Sequence, residues 1–307
     1  MNKVIYHGGC SDGWCAAWIA AHALGIGEES LIRASYGSKL PYEKIGPQDT
    51  VYLVDFSYPR AELLELATLV GKVIVLDHHK TAQAELADLH GNMLGIEVVF
   101  DMNRSGARIA FDELMVPRIQ MRDDTYHLLT MAEILSRYVQ DRDLWQWKLE
   151  SSREMSAFLA SIPFTLVEWD KLIQTPLRTM VDGGSAILRY MQHKVNELVR
   201  PSQWMLADIG AFHGVALINI CVGAPGSEVL DVLCVDRPFS CGWSQNGNGT
   251  YYYSLRSNGS DTDVGAFARS MRDRGTAFAG GGHAKAAGFS SRYRPDELFF
   301  NMREVAK

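Results

Sequence analysis

Residues 73–79 read Val-Ile-Val-Leu-Asp-His-His. Four apolar, strand-compatible residues run straight into a carboxylate and two imidazoles. The run has the length and composition of a buried strand, and its carboxyl end delivers three polar groups to one point. Two other segments end alike: Lys3-Val-Ile-Tyr6 stops at His7, and Val51-Tyr-Leu-Val54 stops at Asp55. In open parallel α/β sheets, ligands bind outside the carboxyl ends of the strands. Three strands that each present a metal-type ligand there predict a site assembled from all of them.

Working outward from these strands, elements alternate up to about residue 115. A Gly/Ser turn after His7 leads into a helical run over 13–24. A second strand is predicted over 31–36. Residues 60–70 place Leu63, Leu64, Leu66, Ala67 and Val70 at helical spacing. A fifth strand is expected over 96–100, followed by a helix that Ser105 caps. Such alternation predicts an α/β fold, a parallel sheet with helices on both faces. Residues 117–200 read as mainly helical, most clearly over 128–138 and 185–199, and Arg200-Pro201 ends the second of these. Strands return at 204–209, 215–220 and 251–255, with a helix over 227–233. The expected layout is a catalytic domain over 1–183, a linker helix over 184–201 and a smaller α/β domain over 202–307.

Composition narrows the function classes. The chain has 307 residues and a formal charge of −6, so no broad basic surface is implied and long duplex DNA is disfavoured as a partner. A short anionic substrate, held by a few local cations and metals, remains open. Five scattered cysteines, Cys10, Cys15, Cys221, Cys234 and Cys241, form no C-x-x-C pair, which suits reduced thiols in a cytoplasmic protein. No signal peptide is evident, and the apolar stretch 16–26 is too short to cross a bilayer, so no membrane is expected as a partner.

His7, Asp12, Asp55, Asp77, His78 and Asp141 come from separate segments, as expected of a site built at strand ends. Two divalent ions about 3.5–4 Å apart need such a mixture of carboxylates and imidazoles, and they clamp the two oxygens of a phosphoryl transfer. Each residue also has a plainer reading. His7 alone would be structural, and Asp12-Gly13 is an ordinary turn or helix cap. Asp141 and Asp143 would be a solvated charge run. Asp77-His78-His79 is harder to set aside, since three polar groups at the end of a buried strand need partners.

Residues 280–289 read Gly-Gly-Gly-His-Ala-Lys-Ala-Ala-Gly-Phe. The glycines would let backbone approach a ligand, and a helix opening after them would suit a phosphate. No Gly-Lys-Ser/Thr follows, so this is not a P-loop. Upstream, Ser254-Leu-Arg256-Ser257 ends a tyrosine-rich strand, and Arg256 has the fork geometry for phosphate.

Together these motifs resemble the DHH phosphoesterases. Asp77-His78-His79 looks like their signature. Ser254-Leu-Arg256-Ser257 with Gly280-Gly281-Gly282-His283 and Ala286-Ala287-Gly288 looks like the associated C-terminal DHHA1 domain. The resemblance spans nearly the whole chain, with the motifs in the right order. It implies an N-terminal α/β domain, a helical linker and a smaller α/β domain, with the active site in the cleft between them. It implies two divalent ions, usually Mn2+ with Mg2+ as an alternative. His7 and Asp12 match its first motif, Asp55 the second, Asp77 and His78 the third and Asp141 the fourth, with Asp143 as the substitute. Asp77, His78 and His79 would serve catalysis, His79 by orienting the site or meeting the scissile phosphate. Arg256, Ser257, Gly281, Gly282 and His283 would hold substrate. One departure stands out: Cys10 occupies the place of the first aspartate in Asp-x-Asp, and a soft thiolate suits Mn2+ less well than a carboxylate.

The activity this implies is hydrolysis of phosphodiester bonds in short oligonucleotides or in linear or cyclic dinucleotides. Exopolyphosphatase or pyrophosphatase chemistry is the alternative, and a nucleotide-binding protein weakened in catalysis through Cys10 is a third reading. Tyr251, Tyr252 and Tyr253 would either stack bases or fill the core, and alternation buries part of them either way. Trp145 and Trp147 are expected to pack the linker. Nothing in the sequence speaks for a homodimer.

Overall fold

A computed structural model describes residues 1–35, 37–89, 95–221, 223–259 and 262–305. The chain divides into two compact units, residues 1–188 and 189–307. The first is a five-stranded parallel sheet in the order β2-β1-β3-β4-β5. Its elements are β1 (Asn2–His7), α1 (Ser11–Leu24), β2 (Leu31–Ala34), β3 (Thr50–Val54), α2 (Arg60–Leu69), β4 (Lys72–Asp77), α3 (Lys80–Leu86) and β5 (Ile96–Phe100). The expected strand over 31–36 ends at Ala34, and Tyr36 lies outside the described residues. Alternate strand residues explain the continuous apolar runs. Val4, Tyr6, Tyr52 and Val54 enter one core with α1, while Ile5, Val51, Leu53, Val73 and Val75 enter the other with α2.

Helix α1 is buried all round from Asp12 to Ala21. One side meets the sheet, and the other meets α4 (Gly106–Ala110), the π-helical turn Phe111–Met115 that prolongs α4, and α6 (Tyr126–Asp143). The short α5 (Val116–Arg118) lies between that turn and α6. Gly25 ends α1 in the left-handed conformation, φ 63°, and its N–H reaches the Ala21 carbonyl. Trp14, Trp18 and Trp169 form an aromatic cluster at this face, and Asp170 accepts from Trp18 Nε1 at 2.8 Å. Trp169 comes from α8 (Leu166–Asp170), which follows α7 (Ser152–Ala160).

Helix α9 (Leu177–Leu198) begins earlier than the 185–199 expected, and the division between the units falls inside it. The second unit is a seven-stranded mixed sheet in the order β10-β11-β9-β8-β7-β6-β12. It contains β6 (Trp204–Ile209), β7 (Phe212–Asn219), α10 (Gly226–Leu233), β8 (Ser240–Gln245), β9 (Tyr251–Arg256), α11 (Val264–Asp273), β10 (Ala279–Gly282), β11 (Ala286–Ser291), α12 (Pro295–Leu298) and β12 (Phe300–Glu304). All its pairings are antiparallel except β7 with β8. Tyr253 is buried and Tyr252 exposed, as alternation requires.

The glycine-rich segment departs from expectation. Residues 280–289 form a β-hairpin of β10 and β11, with no helix after the glycines. The glycines serve packing: a Cβ at Gly280 would overlap the Ala268 carbonyl of α11, and one at Gly282, at φ 135°, would crowd Ala286 and Ala287. Close backbone approach is indeed what these glycines permit, but the neighbour is α11 and the hairpin itself. Among the described residues no helix is long and apolar enough to cross a membrane.

Candidate metal centre

Strand order places β1 and β3 side by side, with the chain leaving β1 toward β2 on one flank and returning to β3 on the other. This reversal is the switch point at which parallel sheets bind ligands. His7 ends β1, Asp55 follows β3, and Asp77 ends β4 with His78 and His79 directly after. Asp12 arrives in the first turn of α1 and Asp143 from the last turn of α6.

These side chains fall into three groups, in each of which the ligand atoms lie within 4.8 Å of one another: His7, Cys10 and Asp55; Asp12, His78 and Asp143; and Asp55, Asp77 and His79. Asp55 belongs to two of them, so it has the position of a bridging carboxylate. Cys10 caps α1, accepting from Gly13 N at 3.3 Å, and its Sγ lies 3.4 Å from both His7 Nδ1 and Asp55 Oδ2. The residue that departs from the resembled motif therefore still faces the cluster.

Asp77 is the most enclosed of the set. It accepts from Ser57 Oγ at 3.0 Å, from His78 N at 2.7 Å and from His79 N at 3.3 Å, and pairs with His79 Nδ1 at 2.7 Å. Asp12 is held by the start of α4: Gly106 N and Ala107 N donate to its two oxygens at 2.7 and 2.9 Å. A carboxylate at a helix N-terminus is favoured by the same unsatisfied N–H groups that bind anions. Close packing makes this possible, since a Cβ on Gly106 would overlap Asp55.

The electrostatics call for a cation. Burial pushes the Asp12 carboxyl well above the usual range, and the charges of Asp55 and Asp143 push the same way. Burial also raises Asp143, with Asp55 adding to it against the pull of His78. Burial would raise Asp55 too, but hydrogen bonds from His7 and His78 and their charge outweigh it and hold it well below the usual range. Asp77 is lowered likewise, its burial outweighed by the charge and hydrogen bond of His79. Burial opposes the charged form of His78, yet Asp55, Asp143 and Asp12 lift it to about 10. Asp143 Oδ2 is buried with no hydrogen-bond partner among the described residues; its nearest ion-pair contact is His78 Nε2 at 3.5 Å. Buried carboxylates crowded against one another, two of them with raised pKa, fit a divalent cation. Oxygen and imidazole donors suit Mn2+ and Mg2+, and the Cys10 sulfur adds a softer donor to one group.

Of the residues expected at the site, His7, Asp12, Asp55, Asp77, His78 and His79 converge, and Asp141 does not. Asp141 belongs to none of the donor groups, and its two carboxylate oxygens accept from Lys148 N and Leu149 N at 2.9 and 3.2 Å in the loop after α6. Asp143 takes the position expected of Asp141. Two residues along a helix means opposite sides, so only one of the pair can face the strand ends. Arg256, Ser257, Gly282 and His283 lie at one end of the second sheet, with Gly281 one residue further along β10. There Arg256 Nη2 donates to Ser227 Oγ at 2.8 Å and Ser257 Oγ to the Thr262 carbonyl at 2.9 Å. Ser57 and the N–H groups of Gly106 and Ala107 went unforeseen. Only the Ser105 cap hinted at the latter, by placing a helix start nearby.

No family model matches the sequence. Uncharacterized protein R106 of Acanthamoeba polyphaga mimivirus is 26% identical over 309 residues, covering 94% of this chain and 67% of the viral protein. Among solved structures, RecJ from Thermus thermophilus in complex with Mn2+ aligns over 94% of this chain with a TM-score of 0.52 and 17% identity. This chain spans about half of that RecJ chain, 49%. CDC45 from Entamoeba histolytica aligns over 95% of this chain and 92% of its own at 9% identity and a TM-score of 0.46, too slight a likeness to argue from. The RecJ likeness is one of fold: a parallel-sheet unit followed by a unit built on a second sheet.

Proposed function

We propose that the chain is a metal-dependent phosphodiesterase that hydrolyses short oligonucleotides or dinucleotides. The observation that carries this reading is the convergence of buried Asp12, Asp55, Asp77 and His78 with partly buried His7 and Asp143 at the carboxyl ends of β1, β3 and β4. Two divalent ions, Mn2+ by preference, would be held among these donor groups, two of which share Asp55. When bound, such ions lower the pKa of water toward neutrality and offset charge on phosphoryl oxygens.

The chain's own residues supply the rest. Asp12, Asp55, Asp77, Asp143, His7 and His78 would hold the ions. His79, fixed through Nδ1 by Asp77, is assigned to orient the scissile phosphate and to stabilise charge that grows on it. Arg256, Ser257, Gly281, Gly282 and His283 are assigned to substrate phosphate binding. A net charge of −6 supports a short substrate over a long polyanion, and five unpaired cysteines support a reducing compartment.

The test is a panel assay with Mn2+: a dinucleotide, a five-nucleotide RNA, a cyclic dinucleotide and polyphosphate, with Asp77→Asn in parallel. Asn is the better replacement, because alanine would strand Ser57, His78 N–H and His79 at once. Mononucleotide release by the wild type, abolished in the variant, is the expected result. Phosphate released from polyphosphate alone would sink the phosphodiesterase reading in favour of phosphoanhydride hydrolysis. Dinucleotide binding with no turnover would leave a nucleotide-binding protein.

A further inference from the structure

The loop that follows Asp143 has features the metal cluster does not use. Trp145, Trp147 and Ser151 all adopt the left-handed conformation, at φ 54°, 55° and 55°. Bulky residues seldom sit there, and they stay only where surrounding contacts over-determine them. Trp145 N donates to the Arg142 carbonyl at 3.0 Å, and Asp141 holds Trp147 and its neighbours. The Asp141 carboxylate accepts from Lys148 N and Leu149 N, while its carbonyl accepts from Gln146 N at 2.8 Å and Trp147 N at 3.3 Å. Four consecutive loop N–H groups thus converge on Asp141.

What the loop displays is a set of π faces and cations. The Trp145 and Trp147 rings lie 5.1 Å apart, edge to face. The Arg142 guanidinium stands 4.6 Å from the Trp145 ring centroid, and that of Arg153 4.2 Å from Trp147. Both indoles are half-buried, and Arg153 has no carboxylate partner among the described residues. Trp145 follows the metal-facing Asp143 by two residues, just past the end of α6. Packing alone requires neither the left-handed tryptophans nor a guanidinium set against them.

We propose that residues 144–151 with Arg153 form a nucleotide-gripping platform of this site, and that Asp141 is its positioning residue. The proposal rests on the phosphodiesterase reading and names the part of substrate recognised: a base on the indoles and a flanking phosphate on the guanidinium. Indole faces accept any base, and arginine held on an aromatic ring keeps its fork oriented toward phosphate. A base-free phosphate chain would use only half of this surface.

The experiment measures Mn2+ binding and dinucleotide binding by calorimetry, and steady-state kinetics on a dinucleotide and its abasic counterpart. Trp145→Ala should raise KM for the dinucleotide about tenfold. Its effect on the abasic substrate should be several-fold smaller, and Trp145→Phe should restore most of the loss. Arg153→Ala should raise KM for both substrates. Asp141→Asn should weaken dinucleotide binding in the same direction while keeping Mn2+ affinity within a few-fold, whereas Asp143→Asn loses it. Equal KM shifts on the two substrates for Trp145→Ala, or none, would overturn the platform. Loss of Mn2+ by Asp141→Asn to the extent seen for Asp143→Asn would make Asp141 a ligand and overturn its positioning role. A wild type that binds the dinucleotide through Trp145 without cutting it would refute the phosphodiesterase reading and leave the platform standing. A wild type that neither binds nor cuts it would refute both.

Discussion

Gly106→Ala tests whether the centre is built as tightly as the geometry says. In an ordinary first helical turn, replacing glycine by alanine stabilises by up to about 1 kcal/mol. Here the added Cβ would overlap Asp55 Cβ and stand 2.8 Å from Asp55 Cα and 3.0 Å from its Cγ. Carbon atoms in comfortable contact lie about 3.5–4 Å apart, so one side must yield by roughly 1 Å. Asp55 resists, because its N–H is bonded to the Leu76 carbonyl at 3.0 Å and its carboxylate to His78 at 3.0 Å. The start of α4 must move instead, and with it the N–H groups that hold Asp12. Overpacking costs about 1–3 kcal/mol, and weakening a charge-assisted hydrogen bond costs about 1.5–3 kcal/mol more. Set against the helix gain, the net destabilisation is about 1.5–5 kcal/mol, a fall of roughly 3–20 °C in Tm for a unit of this size. A shift of about 1 Å at the ligands should also lower kcat/KM on a dinucleotide about 100-fold. Thermal unfolding and Mn2+-dependent kinetics read both effects. An unchanged or raised Tm, or full activity, would refute the close approach of α4 to Asp55.

Cys10→Asp should tighten Mn2+ binding about tenfold and weaken Cd2+ binding, since a hard carboxylate would replace a soft sulfur while still able to cap α1. Calorimetric titration with both ions checks this, and an unaltered Mn2+/Cd2+ ratio would place the Cys10 sulfur outside the reach of any bound ion. Metal uptake should also release protons. With its pKa lifted to about 10, His78 is an imidazolium at neutral pH and must lose a proton to become a ligand. Mn2+ affinity should therefore rise with pH up to about 10, and binding heats should depend on buffer ionisation. A pH-independent affinity with no proton release would contradict the assignment of His78.

The parallel sheet was legible because its strands are buried on both faces, and buried strands read as short apolar runs that end abruptly in polar residues. Asp77-His78-His79, His7 and Asp55 were visible for the same reason. Other features depend on contacts between segments far apart in sequence. The glycines at 280–282 suggested a helix N-terminus, yet they serve the approach of α11 to a hairpin, and α11 comes from residues 264–273. Asp141 and Asp143 are equivalent in sequence and face opposite sides of α6, and only the strand ends decide between them. The hold of Gly106 and Ala107 on Asp12 spans more than ninety residues. Strands β8, β10 and β11 were hidden because small and polar residues such as Ser240, Gly242, Gly280 and Ala286 give no alternating apolar signal.

The centre divides its carboxylates into two kinds, and that division bears on how stability changes with pH. Asp55 and Asp77 are lowered, so their contribution to stability is present above the ordinary carboxylate pKa and lost as pH falls through their folded values. Asp12 and Asp143 are raised, so theirs is present at low pH and lost as pH rises through their folded values. The lowered pair is bound to imidazoles supplied by the same strand ends. For the raised pair, hydrogen bonds and the nearby imidazole do not outweigh burial and neighbouring carboxylates. The two kinds of carboxylate therefore pull stability in opposite directions as pH changes. The raised pair, Asp12 and Asp143, arrives on helices α1 and α6, while the lowered pair, Asp55 and Asp77, stands at the carboxyl ends of β3 and β4.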